Sequence, residues 1–208
     1  MPGDGIVSKP RFLITHGITI DALPEDVWPW LVQMGWHRGG WYTARWVDKM
    51  LFPANRASVT HVIDLYQDLH VGDFIPDGAP ETECGFVVEE LEAPRVLVLH
   101  STSHLPLEWR RTGKASIDWT WVFSVVPIDS GDRTRFIFRW RAATKPWWLT
   151  ASSWAVIVPA DFIMEAVGVV KNEGHGDNRY DNEELCHISP HLERVVWCRS
   201  APGKDARA

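Results

Sequence analysis

The 208-residue chain has few cysteines, three in all, and that scarcity removes a class of protein. Cys84, Cys186 and Cys198 are odd in number and follow no framework spacing, so a disulfide-stapled secreted domain is not expected. The opening MPGDGIVSKPRF lacks the basic-then-apolar order of a secretory signal, and together these features predict a reducing, cytoplasmic setting. Basic residues are also short: 21 Lys and Arg against 27 Asp and Glu give a formal charge of −6, with no electrostatic handle for nucleic acid. Long apolar runs are missing too. The nearest approach, WWLTASSWAVIVPADFIMEAVGVV, is broken by Pro159, Asp161 and Glu165 and does not read as an integral membrane segment. No glycine-rich phosphate loop follows a strand, and neither G-x-S-x-G nor H-E-x-x-H occurs, which disfavours the enzyme classes built on them.

What the chain does have is tryptophan, thirteen copies, many in close pairs. Indole is large, apolar over most of its surface and carries one N–H that wants an acceptor. A domain so rich in it wraps its rings around its own core or around an apolar ligand. The length suits one domain with a sizeable core.

Periodicity orders the elements. Phe12, Ile14, His16, Ile18 and Ile20 fall on one face of a half-buried strand. Asp21 to Pro24 then opens a helix through Val27, Trp30, Leu31 and Met34, with Gly35 as its stop and Pro29 expected near the first turn. Trp36 to Tyr42 reads as an aromatic hinge made flexible by Gly39 and Gly40, leading to a second short helix from Thr43 through Trp46, Val47, Met50 and Leu51. Gly72 to Gly78 is a short strand or turn. A β-meander follows over 86–91, 95–101, 117–128 and 134–142, with a long polar connection at 102–116. On its third strand Trp119, Trp121, Phe123 and Val125 share a face, as do Phe136, Phe138 and Trp140 on its fourth, while Arg139 and Arg141 point the other way. A final helix over 160–172 carries an apolar stripe that includes Phe162 and is predicted to lie across this aromatic wall; Met164 lies on the same helix.

Strand, two short helices, curved antiparallel meander and long C-terminal helix make an α+β helix-grip fold. The segments ITIDALPEDVWPWLVQMGWHRGGWY, VGDFIPDG, TWVFSVVPID, RTRFIFRWRA and VPADFIME resemble an actinobacterial-type branch of the SRPBCC superfamily, the START-like group that includes polyketide cyclases, lipid-transfer proteins and pollen-allergen-like carriers. The resemblance spans residues 12–172, leaving 1–11 as an N-terminal extension and 173–208 as a polar C-terminal one. It implies a cavity between sheet and last helix that in many relatives holds an apolar or polycyclic ligand. It implies no particular reaction, and no catalytic residue is carried over.

The expected lining is Trp36, Trp41, Tyr42, Trp46, Trp119, Trp121, Phe123, Phe138, Phe162 and Met164, with Asp73, His100 and Arg139 as polar contacts. Trp36, Trp41, Tyr42 and Trp46 are expected to gate the mouth. Taken singly, each strand aromatic fits a core role as well, His16 fits a satisfied core histidine, and Asp73 and Asp77 fit turn hydrogen bonds. Neither His100 with His104 in HSTSH nor the Cys186, His187, His191 and Cys198 group has the spacing of a metal site. No metal or cofactor is expected. Two functions fit: a carrier or sensor of a hydrophobic small molecule or lipid, and a cyclase-, dehydratase- or hydrolase-like enzyme on a polyketide-like or aromatic substrate, with His100, His16 or Asp73 as acid or base. A third possibility is an interaction domain whose cavity has filled in.

Overall fold

The computed structural model describes residues 1–42, 49 and 55–152, with the backbone of 195–198. The chain runs through β1 (Phe12–Ile20), α1 (Pro24–Val32), β2 (Phe74–Pro76), β3 (Gly85–Glu92), β4 (Val96–Ser101), α2 (Leu107–Thr112), β5 (Ser116–Ile128), β6 (Arg133–Lys145) and β7 (Val195–Cys198). The strands form one curved antiparallel sheet in the order β2-β3-β4-β5-β6-β1-β7, so the fold is α+β. The second short helix, the long C-terminal helix and the residues Trp46, Asp161, Phe162 and Met164 lie outside the described residues. Val195–Cys198, within the stretch read as a polar extension, pairs with β1.

The strand alternation decides which face is which. Ile18, Ile20, Leu97, Leu99, Phe123, Val125 and Phe136 pack with Val27, Trp30 and Leu31 of α1 in the main core. Full burial of each large apolar side chain stabilises the fold by about 1.5–3 kcal/mol. This is the inner face. On the outer face Val96, Val98 and Val122 form a smaller cluster, and the N-terminal segment crosses it. A Cβ on Gly3 would come within 2.7 Å of Val98, and Val7 is buried. Asp4 pairs with Arg139 at 3.0 Å and with Arg141 at 3.1 Å, fastening the segment down.

Three local expectations change. Pro29 sits inside α1 rather than in its first turn, because the helix begins at Pro24; it removes one i→i−4 hydrogen bond there. The connection after β4 contains α2, stopped at Gly113 in the left-handed region with its N–H donating to the Arg110 carbonyl. The glycine hinge is a closed turn. Gly35 and Gly40 exchange two backbone hydrogen bonds of 3.1 Å, and the Gly39 N–H donates to the Gln33 carbonyl at 2.7 Å. A side chain on Gly40 would meet Ser58 at 2.5 Å, at a φ of +88°. The glycines here serve a tight turn with no space for a Cβ.

Candidate functional site

The inner face of β4 and β5 carries an aromatic ladder. Trp41 stacks on Trp121 with centroids 5.6 Å apart and planes 18° from parallel, and Trp121 stacks on Trp119 at 6.0 Å and 19°. Phe86 closes edge-on against Trp41 and Trp119 at 5.8 and 5.0 Å. The i, i+2 spacing of Trp119 and Trp121 puts both on one face of β5, and the 35–40 turn delivers Trp41 onto them. The indole nitrogens of Trp41, Trp119 and Trp121 are all buried, and none has an acceptor among the described residues. Such a donor costs about 1–3 kcal/mol when left unsatisfied. All three lie on one stack, buried and short of an acceptor among the described residues.

A polar chain lies at the Trp119 end. His104 packs against Phe86 at 4.5 Å and Trp119 at 4.6 Å. Its Nδ1 lies 2.7 Å from the Ser101 hydroxyl and its Nε2 2.9 Å from the Asp77 carboxylate. Ser103 ties this chain to β3: its hydroxyl donates to the Gly85 carbonyl at 2.8 Å and accepts the Gly85 N–H at 2.9 Å. Cys84 is adjacent but not activated. Burial pushes its thiol up to about 11, Asp77 adds to this, and contacts with Ser103 and Arg110 oppose it, so the reactive thiolate is scarce at neutral pH.

The other expected polar contacts lie elsewhere. His100 sits on the outer face between Glu89 (3.2 Å) and Asp118 (2.8 Å), because β4 alternation turns it away from Leu99 and Ser101. Arg139 is also outside, donating to Thr15 at 2.9 Å as well as pairing with Asp4. Asp73 is exposed and caps the His70 N–H at 2.8 Å, the turn role open to it from the sequence. His16 packs on Phe138 at 5.0 Å. Tyr42 belongs to the core, edge-on to Trp30 at 5.9 Å, and its hydroxyl accepts from Gln33. Burial pushes its phenol up to about 12, against the opposing effect of the Gln33 hydrogen bond. Phe123 is buried in the same core, whereas Phe138 is only partly covered. Among the described residues there is no cluster of His, Cys, Asp and Glu that could hold a metal, and no helix long and apolar enough to cross a membrane.

Trp36 and Trp41 do line a pocket of about 170 Å³, together with His37, Arg38 and Arg56. It is smaller than the ~300–1,000 Å³ usual for drug-sized ligands. Arg38 is committed to structure there, donating to the Val32 and Met34 carbonyls that end α1 at 2.8 and 3.0 Å. Sequence reasoning did not single out Ser101, and it weighed His104 only as half of a metal pair. The available signal was the three-residue offset of serine and histidine just where β4 ends, close to the GDFIPDG turn that brings Asp77.

No protein-family model matches the chain, and no curated protein does. Solved structures similar to it include the Polyketide_cyc-like protein Cgl2372 from Corynebacterium glutamicum, 15% identical, covering 80% of this chain and 85% of that one at a TM-score of 0.34. A conserved protein from Geobacillus kaustophilus is 11% identical, covering 77% of this chain and 97% of that one at a TM-score of 0.31. What the inner face does chemically follows from its own residues.

Proposed function

We propose that the chain binds a planar, largely apolar small molecule bearing hydrogen-bond acceptors, held against the ladder of Trp41, Trp119 and Trp121. The observation behind this reading is the set of three buried indole N–H groups that lack an acceptor among the described residues. Stacked indoles offer contact area to an aromatic ring, and a ligand carbonyl would satisfy a donor that otherwise only costs stability. The reading retains the START-like helix-grip expectation, in which a C-terminal helix covers this face and SRPBCC relatives carry apolar ligands. A carrier or sensor needs nothing more.

The test is titration of the protein with 2-acetylnaphthalene, an aromatic ketone, followed by tryptophan fluorescence and calorimetry, on the parent and on Trp121→Phe. Phenylalanine keeps a ring and deletes the N–H. The variant is expected to be no less stable than its loss of buried area predicts, since an unpaired donor has gone, yet to bind the ketone ~5–10-fold more weakly, as for one lost hydrogen bond of about 1 kcal/mol. Saturable binding that is unchanged in Trp121→Phe would refute the donor role, and no binding by the parent would refute the proposal.

The enzyme reading is the second one, and a specific observation favours it: a histidine held between a serine and a carboxylate at the end of the ladder.

A further inference from the structure

The hydrogen bonds around His104 assign their own protons. The Asp77 carboxylate can only accept, so Nε2 of His104 carries a proton and donates it across 2.9 Å. In a neutral ring Nδ1 is then the acceptor, and the Ser101 hydroxyl donates to it across 2.7 Å. The Ser103 hydroxyl proton is given to the Gly85 carbonyl, and Ser103 Oγ, 3.0 Å from Ser101 Oγ, is the longer of the two acceptors open to the Ser101 proton. The Ser103 N–H donates to Ser101 Oγ at 3.0 Å and fixes the rotamer. The order is hydroxyl, base, orienting carboxylate, which is the arrangement that activates a nucleophile whatever the fold.

Surroundings matter as much as order. Ser101 is 4% exposed and lies on the inner face, paired with Trp119 of the ladder. Trp119 is its direct partner across the β4–β5 pair, and the Trp119 indole N–H lacks an acceptor among the described residues. A donor beside a nucleophile is what a developing oxyanion requires, and removing one such donor costs about 10²–10³-fold in rate in enzymes that use it.

We propose that Ser101, His104 and Asp77 hydrolyse carboxylic esters of aromatic alcohols bound on the tryptophan ladder, with the Trp119 N–H stabilising the oxyanion. The proposal rests on the ligand reading above. Ser101 Oγ attacks the ester carbonyl as its proton passes to His104 Nδ1. The tetrahedral intermediate collapses, the C–O bond to the alcohol breaks, and His104 returns the proton to the leaving alkoxide. Water then attacks the acyl-serine, gives a proton to His104, and releases the acid as Ser101 recovers its own proton. Ester and water become acid and alcohol, with no redox change.

The experiment pairs 2-naphthyl acetate, read by release of fluorescent naphthol, with a fluorophosphonate label located by peptide mass spectrometry, on the full chain. The expected result is one label, on Ser101, and hydrolysis that falls to the uncatalysed background in Ser101→Ala and His104→Gln. If the parent binds the ketone but neither hydrolyses the ester nor takes the label, the relay is overturned and the binding site stands. If the parent binds no ketone and takes no label, both readings fall. Labelling of the parent needs no variant, so a poorly folded Ser101→Ala leaves the test decisive.

Discussion

Replacing Gln33 with leucine is expected to cost more stability than any other single polar substitution near α1. Gln33 is 0% exposed, at the end of that helix. Its amide nitrogen donates to the Tyr42 hydroxyl at 2.5 Å and to the His61 carbonyl at 3.2 Å, while its oxygen accepts the Ile63 N–H at 2.9 Å and Gln67 Nε2 at 3.4 Å. One side chain thus ties α1 to the 35–42 turn and to the loop after residue 60. Leucine fills nearly the same volume, so the loss is one of hydrogen bonds and not of packing. The half-buried Ile63 N–H and the covered Tyr42 hydroxyl each lose a bond at about 1–3 kcal/mol, whereas the His61 carbonyl, on an exposed residue, recovers a water. The sum is about 2–6 kcal/mol, or a fall in Tm of about 4–24 °C for a domain of this size. Urea unfolding followed by far-UV circular dichroism, alongside a thermal melt, reads it directly. A loss below about 0.5 kcal/mol, the scale of an indifferent surface change, would show that the network is incidental.

Gly40→Val should destabilise by about 2–4 kcal/mol, since it adds a left-handed strain to a collision with Ser58; a melt unchanged from the parent would restore the open hinge. Tyr42, with its phenol raised from 10.0 to about 12 in the fold, stays neutral where the unfolded chain ionises. Its stabilising contribution is complete below pH 10 and is lost as pH rises to about 12, a change of about 2–3 kcal/mol that urea titrations across this range should show and that Tyr42→Phe should abolish. Burial opposes the charge on Asp4, but the N-terminal ammonium, Arg139 and Arg141 outweigh it and hold its carboxyl below 3.8. That contribution is present above pH 3.8 and lost as pH falls below it. Asp4→Asn should accordingly raise amide exchange at residues 3–7 at neutral pH, and unchanged exchange would mean that the ion pairs do not hold the segment.

The long strands were legible because they carry a period of two over many residues, whereas the four-residue β7 was not. Phe12 to Ile20 and Ser116 to Ile128 announce both their extent and their inner face, and the register of β5 on β6 follows from Phe123 opposite Phe138 and Trp121 opposite Trp140. Outward-facing Arg139 was legible by the same rule. Its expected part in ligand contact does not follow from that direction, and Asp4, more than 130 residues away in sequence, supplies its partner outside. His100 was misplaced for want of the β4 register: HSTSH gives two histidines, and only pairing with β5 shows the first between carboxylates on the outer face and the second beside Trp119. Gln33 was invisible because a glutamine at a helix end looks like a solvated residue until the loop after residue 60 closes over it. Glycine misled in the opposite direction. Gly39 and Gly40 read as freedom, yet a backbone that must turn tightly under Ser58 uses glycine for lack of space.

The two faces of the sheet differ in the kind of polar group they leave, with paired charges outside and indole N–H groups inside. Outside, charged side chains find partners on neighbouring elements: His100 with Glu89 and Asp118, Arg139 and Arg141 with Asp4, and Arg135 with the Thr19 hydroxyl. Such pairing holds the N-terminal segment and the strand edges, and the buried Thr120 Oγ1 and Arg141 Nε are the outer-face atoms it leaves without a partner among the described residues. Inside, Ser101, His104 and Asp77 satisfy one another while the neighbouring indoles of Trp41, Trp119 and Trp121 satisfy no one among the described residues. Phenylalanine would fill a core at these positions without the orphaned donor, as Phe86, Phe123 and Phe136 do on the same face. Tryptophan in a row of three is therefore hard to explain by packing alone, and an acceptor that enters from outside, next to a hydroxyl already aligned on its base, explains both halves of the inner face together.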